Sequence, residues 1–495
     1  MALALGLDVS TTATKAILVD GTGAVRGIGT AEYGYETPRP LWSEQDPALW
    51  WTATGAAVQA ALSAAGASGD EVRAIGLTGQ MHGAVLLDGD DRPLRPAILW
   101  NDQRTGAECD AIRAAVGAER LVEVTGNDAI TGLTAPKLLW VRAHEPDVWS
   151  RVATVLLPKD FVRLQLTGEH ALDKADASGT GLFDLAARGW SAEVLAALDL
   201  DPRLFPPTLE GPEVTGTLTA AAAAVTGLRA GTAVVAGAGD QAANAVGVGA
   251  LDPGVVALSL GTSGVVFAAT ERPIVEPHGR VHAFCHAVPD RWHLMSVMLS
   301  AAGSLRWFRD ALAPGVAFGD LVEEAATVPA GSEGLWFLPY LTGERSPHPD
   351  PLARGAFIGL TVTHRRAHLV RAVLEGVAFG LRDGLDLMVG AGMPGAGQIR
   401  ASGGGLASPV WRQILADVLD TEIAGVATTE GAAYGAALLA APTAGLTASV
   451  AEAAEAFVRV TPQAQPATGA SAAYAERHAL YRELYPALAP LFQRM

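Results

Sequence analysis

Short apolar runs broken by tight polar loops set the pattern of the chain from its first residues. Residues 4–20, ALGLDVSTTATKAILVD, hold an apolar run, a tight polar loop and a second apolar run, which predicts a β-hairpin. Residues 254–270, GVVALSLGTSGVVFAAT, repeat that pattern. The two stretches align without gaps, Ser10-Thr11-Thr12 over Gly261-Thr262-Ser263 and Asp8 over Ser259. They sit near the start of each half of the chain, which reads as the duplication of one domain. Between them, short apolar strands at 74–78, 84–88, 154–157 and 232–236 alternate with Ala/Leu-rich helical stretches, an α/β pattern. Asp46-Pro47 marks a helix start, Asp as N-cap and Pro at the first helical position. In the second half, 368–390 has helical spacing with Leu369, Val373, Val377 and Leu381 on one face. Ile399 then leads into Gly403-Gly404-Gly405, with a helix at about 408–419 and a small-residue helix at 431–441. Residues 442–470 read as a surface stretch, and 471–492 as a final amphipathic helix. A boundary near 240–253 predicts two domains, residues 1–245 and 246–495.

Composition narrows the functional classes. A chain of 495 residues with 49% apolar content is long enough for two or three cores. Cys109 and Cys285 form no CxxC pair, and no basic segment with an apolar run and cleavage site opens the chain. A reducing compartment, the cytoplasm, is therefore expected. No apolar stretch is long enough to span a bilayer. The net charge of −17 argues against nucleic acid or an anionic membrane as partner. The same charge keeps the bulk field from drawing in a triphosphate, so local N–H groups, hydroxyls and a metal ion must hold one.

Candidate chemistry gathers at four places. Val235 to Gln241 is an apolar run ending in small glycines and a lone carboxylate, Asp240. A hydroxyl attacking a phosphate needs a base held in a bare-backbone cleft, and Asp240 is placed to be one. Asp8 closes the first apolar run. Lys15, Lys137, Lys159 and Lys174 are the only lysines and none follows a glycine, which excludes a Walker A loop. No GxGxxG follows a strand in dinucleotide register, and no HExxH or Cys/His cluster has metal-ligand spacing. Nucleotide would then sit on the two hairpin loops, whose N–H groups and hydroxyls form an anion nest. The triple glycine offers a bare platform to an adenosine, or is a turn. Trp100-Asn101-Asp102 lines a pocket or is a capped turn, whereas Trp42 and Trp50-Trp51 read as core and loop anchors. Glu344-Arg345 reads as a surface or interdomain ion pair, and His282, His286 and His293 receive no metal.

Asp8 with Thr11, Thr12 and Lys15, GAGDQAA at 237–243, GTSG at 261–264 and GGG at 403–405 resemble the FGGY carbohydrate kinases of the actin-like ATPase superfamily. Gly355 to Leu360 with His368-Leu369 and Ala372 to Glu375 match that family's C-terminal signature, and Thr134, Lys137 and Trp140 its N-terminal one. The segments PLWSEQDP (40–47), GQMHGAVLLD (79–88) and WFLPYLTGERSPH (336–348) are similar to those of its xylulose-phosphorylating members. The resemblance implies an α/β fold of two related ribonuclease H-like domains around a cleft, the N-terminal one binding sugar and the C-terminal one nucleotide. It implies Mg2+ and ATP as cofactors and D-xylulose as the sugar phosphorylated, with another ketose or polyol as the alternative. Asp240 is then the general base, and Asp8 positions the magnesium and the phosphate. Met81, His82, Asp240 and Gln241 meet the sugar. Thr11, Thr12, Lys15, Thr262, Gly404, Gly405 and Ser408 bind the nucleotide. Two departures stand out: Ser10 replaces the usual glycine, and Gln241 stands where many such kinases have Asn. Homodimers are common in the family. A non-catalytic sugar sensor of the same fold is expected to lose Asp240 or gain a DNA-binding module, and an exported sugar-binding protein needs an export signal; this chain has neither mark.

Overall fold

The computed structural model describes residues 2–428 and 430–495. The first half is built on a sheet ordered Val25–Glu32, Ala13–Asp20, Leu3–Val9, Val72–Gly79, Ala233–Val235, Val214–Thr217. Leu3–Val9 and its hairpin partner are antiparallel, while Val72–Gly79 and Ala233–Val235 run parallel to it. The second half repeats that order and polarity with Trp292–Met298, Gly264–Thr270, Val255–Leu260, Gln398–Ser402, Ile423–Val426 and Val460–Ala464. The duplication read from two hairpins therefore extends through six strands of each seven-stranded sheet, as related ribonuclease H-like domains require. Leu3–Val9 is buried along almost its whole length, as a strand covered on both faces must be.

The gapless alignment of the hairpins holds through their first strands and then slips by one. Val9 pairs with Thr14 across four loop residues, whereas Leu260 pairs with Gly264 across three. The Ser10 amide closes its loop on the Ala13 carbonyl, and the Gly261 amide closes on that of Ser263, one residue nearer. The shorter turn in the second half is the physical source of the slip.

The halves are bound at their centre by two helices from equivalent positions. Asp240–Gly247 follows the first sheet and Gly431–Ala440 follows Ile423–Val426, yet the second helix packs on the strands of the first half. Such an approach needs bare backbone. A methyl group on Gly6, Gly76 or Gly435 would overlap the carbonyl oxygens of Ala433, Ala436 and Ala243 respectively. Small residues at 431–441 thus set how closely the halves meet.

Two expectations change. The 442–470 stretch carries a helix, Val450–Phe457, and an edge strand, Val460–Ala464, with Val450, Ala453 and Phe457 buried. Its apolar positions are too few and too short in period to stand out from a polar Ala/Pro/Thr background, and Pro462 is tolerated because the strand is an edge. The helix Arg366–Gly390 is buried around most of its circumference and not on one face, since helices and sheet enclose it. Asp46 does accept the Ala48 N–H ahead of Pro47–Ala65, and Trp50 is fully buried.

Candidate active site

Strand register brings the two singled-out carboxylates to one edge. Asp8 lies opposite Thr78, Thr78 lies opposite Ala238, and Asp240 follows at the first residue of its helix. Two strand spacings set roughly 10 Å between these backbones, a gap that side chains from both sides can close. Parallel strands leave such a crevice at their carboxyl ends. Asp8 Oδ1 is buried and has no hydrogen-bond partner. Burial, and then the Asp240 carboxylate, push Asp8 up to about 7 against the pull of Lys15. Burial pushes Asp240 up to about 6, opposed by hydrogen bonds from the side chain and backbone of Gln241. Two acids held in this way call for a proton or a hard cation beside them, and the partnerless oxygen of Asp8 suits a divalent one.

Met81 and His82 sit at the next strand end. The Met81 side chain lies over bare Gly239, where a methyl would come within 2.8 Å of its Cγ. His82 adopts a φ of 66°, the left-handed region. Its carbonyl is clamped by Lys137 Nζ at 2.9 Å and Thr134 Oγ1 at 3.2 Å. Its Nδ1 is 2.7 Å from the Gly179 carbonyl, which can only accept. Nδ1 therefore carries the proton and Nε2 is an acceptor. Burial, with Lys137 next, holds His82 well below the usual histidine range, so the ring stays neutral. Lys137, a signature residue in the sequence, is itself buried and pushed down to about 7 by that burial.

The hairpin loops and the triple glycine divide the remaining residues. Thr11 Oγ1 donates to Gln80 Oε1 and accepts from Trp100 Nε1 at 3.0 Å, so Trp100 faces the first loop. Thr12 is exposed at the hairpin tip, and Lys15 Nζ pairs with Glu430 Oε2 at 2.9 Å. Ser10 Oγ folds back onto the Ala13 carbonyl at 2.8 Å, spanning the loop that a glycine would leave open. In the second half, Thr262, Gly404, Gly405 and Ser408 line one cavity of about 560 Å³ with Leu260 and Trp411. A methyl on Gly405 would strike Leu260, whereas one on Gly404 would meet nothing within 4 Å. Protein packing accounts for the first glycine; the open face of the second points to what fills the cavity. Ser408 Oγ accepts the Trp411 N–H and caps the helix behind it.

Three features were not read from the sequence. Lys159 Nζ lies 2.9, 2.5 and 2.9 Å from carboxylates of Asp160, Asp173 and Asp176, so an ammonium fills the one metal-like cluster among the described residues. Arg163 joins this network and donates to the Ala236 carbonyl, fixing the backbone that leads to Asp240. The second is the Trp100–Thr11 bond. Third, Glu344 and Arg345 form no side-chain ion pair: Glu344 Oε1 instead accepts the N–H groups of Leu299 and Arg345, each at 2.8 Å. The ion pair expected from adjacent charges fails because the carboxylate turns back to its own backbone. His282 Nδ1 bonds Asn127 Oδ1 and His286 Nε2 bonds the Ala250 carbonyl, whereas both ring nitrogens of buried His293 lack a partner.

Comparisons with known proteins accord with this geometry. Residues 3–247 match the N-terminal domain of the FGGY family of carbohydrate kinases, and residues 256–444 its C-terminal domain. The chain is 45% identical to a xylulose kinase of Escherichia coli K12, over 98% of this chain and 99% of that one. It is 48% identical to a xylulose kinase of Klebsiella pneumoniae, over 88% and 89%. A solved xylulose kinase from Rhodospirillum rubrum superposes with a TM-score of 0.92 at 34% identity, covering 99% of this chain and all of the other. The chain belongs to the FGGY family of carbohydrate kinases.

Proposed function

We propose that this protein transfers the γ-phosphoryl group of Mg-ATP to D-xylulose, giving D-xylulose 5-phosphate and ADP. The observation that carries the reading is the meeting of Asp8 and Asp240 at adjoining strand ends, each with its charge resisted by burial. The names of the relatives at 45% and 48% identity support the choice of sugar.

Residues 1–245 bind the sugar and residues 246–495 the nucleotide. Met81, His82 and Gln241 surround the acceptor, with His82 Nε2 taking a hydrogen bond from a hydroxyl. Thr262, Gly404, Gly405 and Ser408 hold the nucleotide, with Thr11, Thr12 and Lys15 toward its phosphates. The acceptor oxygen forms its bond to phosphorus as the bond to ADP breaks, and its proton passes to Asp240. A base with a pKa near 6 stays ionised at neutral pH yet accepts a proton more readily than an ordinary aspartate. Gln241 orients that carboxylate through its own hydrogen bond. When bound, a magnesium ion offsets charge on the phosphates, and Asp8 is the residue that would hold it. Positioning does most of the remaining work, because phosphoryl transfer asks little covalent chemistry of a protein.

Cys109 and Cys285 are both buried and unpaired, in keeping with the cytoplasm as the site of action, and no helix among the described residues is long and apolar enough to cross a membrane. By analogy with the family the working unit is a homodimer.

Purified protein assayed by ADP release against a panel of ketoses and polyols tests the reading. D-xylulose is expected to give the highest kcat/KM, with phosphorus NMR placing the new ester at C5. A higher kcat/KM for another ketose or a polyol would replace the substrate, and no ADP release with any of them would overturn the assignment.

A further inference from the structure

Arg345 begins a chain of contacts from the second half of the protein into the acceptor pocket of the first. Its Nη2 lies 3.8 Å from where a side chain on Gly132 would begin, and that same point is 3.1 Å from the Trp100 carbonyl. The Gly132 carbonyl shares the Lys137 ammonium with the His82 carbonyl, at 2.6 and 2.9 Å. Arg345, Trp100 and His82 therefore converge on one small region, although they come from three distant segments. A side chain on Gly132 would crowd the Trp100 carbonyl and lie in contact with the guanidinium.

Among the described residues no carboxylate forms an ion pair with that guanidinium, and Glu344 acts on it only through space. The only acid beside it in sequence, Glu344, spends Oε1 on two backbone N–H groups, and burial pushes it up to about 8, so it is largely protonated at neutral pH. Burial also holds Arg345 below the usual arginine range, and its charge is felt at both His82 and His282. An arginine brings five donors and no acceptor. Around it stand neutral His82 with an acceptor Nε2, the Gly132 and His82 carbonyls already bonded to Lys137, and the Trp100 carbonyl, too few acceptors for five donors, which leaves the rest to a ligand rich in oxygen. Holding an unpaired guanidinium in a half-buried cleft is unfavourable unless such oxygens arrive.

We infer that Arg345 recognises the acceptor sugar, donating hydrogen bonds from the opposite half of the molecule to oxygens of the ketose held between His82 and Asp240. The inference rests on the kinase reading above and adds a specificity residue to it. It also gives the Glu344-Arg345 pair a joint role. The Glu344 carboxylate fixes the Leu299 N–H, and two residues on, the Ala301 and Gly303 N–H groups bond the Thr262 carbonyl of the nucleotide-side hairpin. One dipeptide thus touches the acceptor with one side chain and steadies the nucleotide loop with the other.

Arg345→Gln and Arg345→Lys, measured on whichever sugar wild-type protein phosphorylates best, separate this inference from the choice of sugar. Loss of a hydrogen bond from a charged donor should raise the KM for the acceptor about tenfold or more in Arg345→Gln. The KM for ATP should stay within about twofold, and Arg345→Lys should recover only part of the loss, because an ammonium lacks the planar fork. The thermal shift produced by sugar alone should shrink while that produced by ADP persists, a split that damage to the fold would not give. An unchanged acceptor KM in Arg345→Gln, or equal loss of both thermal shifts, would overturn the assignment.

Discussion

Asp240 and Asp8 stand in similar burial but face opposite demands. Asp240 must be ionised to accept a proton, so kcat/KM should fall as pH drops through about 6, the pKa to which burial raises it. Asp240→Asn should lower kcat by about 10²–10⁴-fold while calorimetry finds ADP binding retained; a variant within tenfold of wild type would remove the base role. Asp8 gives a stability prediction of definite sign. Its folded pKa of about 7 lies above the ordinary 3.8, so the folded state holds a proton that the unfolded chain has released. The associated stability is complete below about pH 4 and is lost as pH rises to about 7. Asp8→Asn, which does not ionise, should therefore gain on wild type over that interval, by about 1–2 kcal/mol at pH 8 in the absence of ligands, while losing turnover. Denaturant melts at pH 4 and pH 8 check this: an advantage that shrinks toward high pH would contradict the origin of the shift. Stability is here given up for a carboxylate oriented toward charge.

At the scale of elements, two glycines of similar appearance in the sequence have opposite reasons to exist. Gly435 sits where a side chain would run into the Ala243 carbonyl, so Gly435→Val should destabilise the protein by about 3 kcal/mol. Gly404 has open space before it, so Gly404→Val should leave stability within about 0.5 kcal/mol and weaken nucleotide binding instead. Melting curves with and without ADP distinguish the two, and a destabilised Gly404→Val protein would return that glycine to packing. The hairpins at 4–20 and 254–270, the Asp46 cap and the helix at 431–440 could be read from the chain because period, turn chemistry and capping are local. So could Asp8 and Asp240, each marked by a charge ending an apolar run. The Lys159–Asp160–Asp173–Asp176 cluster could not, since its carboxylates come from separate segments and nothing local says they meet. Glu344-Arg345 misled for the complementary reason: adjacent opposite charges suggest a pair, but whether a carboxylate turns to its neighbour or to a backbone N–H is settled by tertiary packing. The second-half helix packed on the first-half sheet was equally invisible, because small-residue runs announce close packing without naming the surface they pack on.

For the molecule as a whole, charge decides how nucleotide arrives. A chain of net charge −17 repels a polyanion at long range, and the nucleotide-side cavity is lined by glycines, Thr262, Ser408 and apolar side chains such as Leu305, Phe318, Val322 and Trp411, with one cation, Arg306, and one carboxylate, Glu323, whose formal charges cancel. Lys15, beside the first loop, is already paired with Glu430. Attraction thus comes from N–H groups, hydroxyls, Arg306 and a metal ion acting over a few ångströms, distances at which salt screens little, while the repulsion spans the whole surface. The Debye length falls from about 30 Å at 0.01 M salt to about 10 Å at 0.1 M, so added salt removes the repulsion and leaves the short contacts in place. Raising sodium chloride from about 10 to 150 mM at constant free Mg2+ should therefore leave kcat/KM for ATP unchanged or raise it up to about threefold. A protein that gathers nucleotide on a basic face behaves in the opposite way, losing rate steeply as salt is added. A several-fold fall in kcat/KM across that range would show that a positive field, and not the local cradle of the two hairpins and the triple glycine, brings the phosphates in.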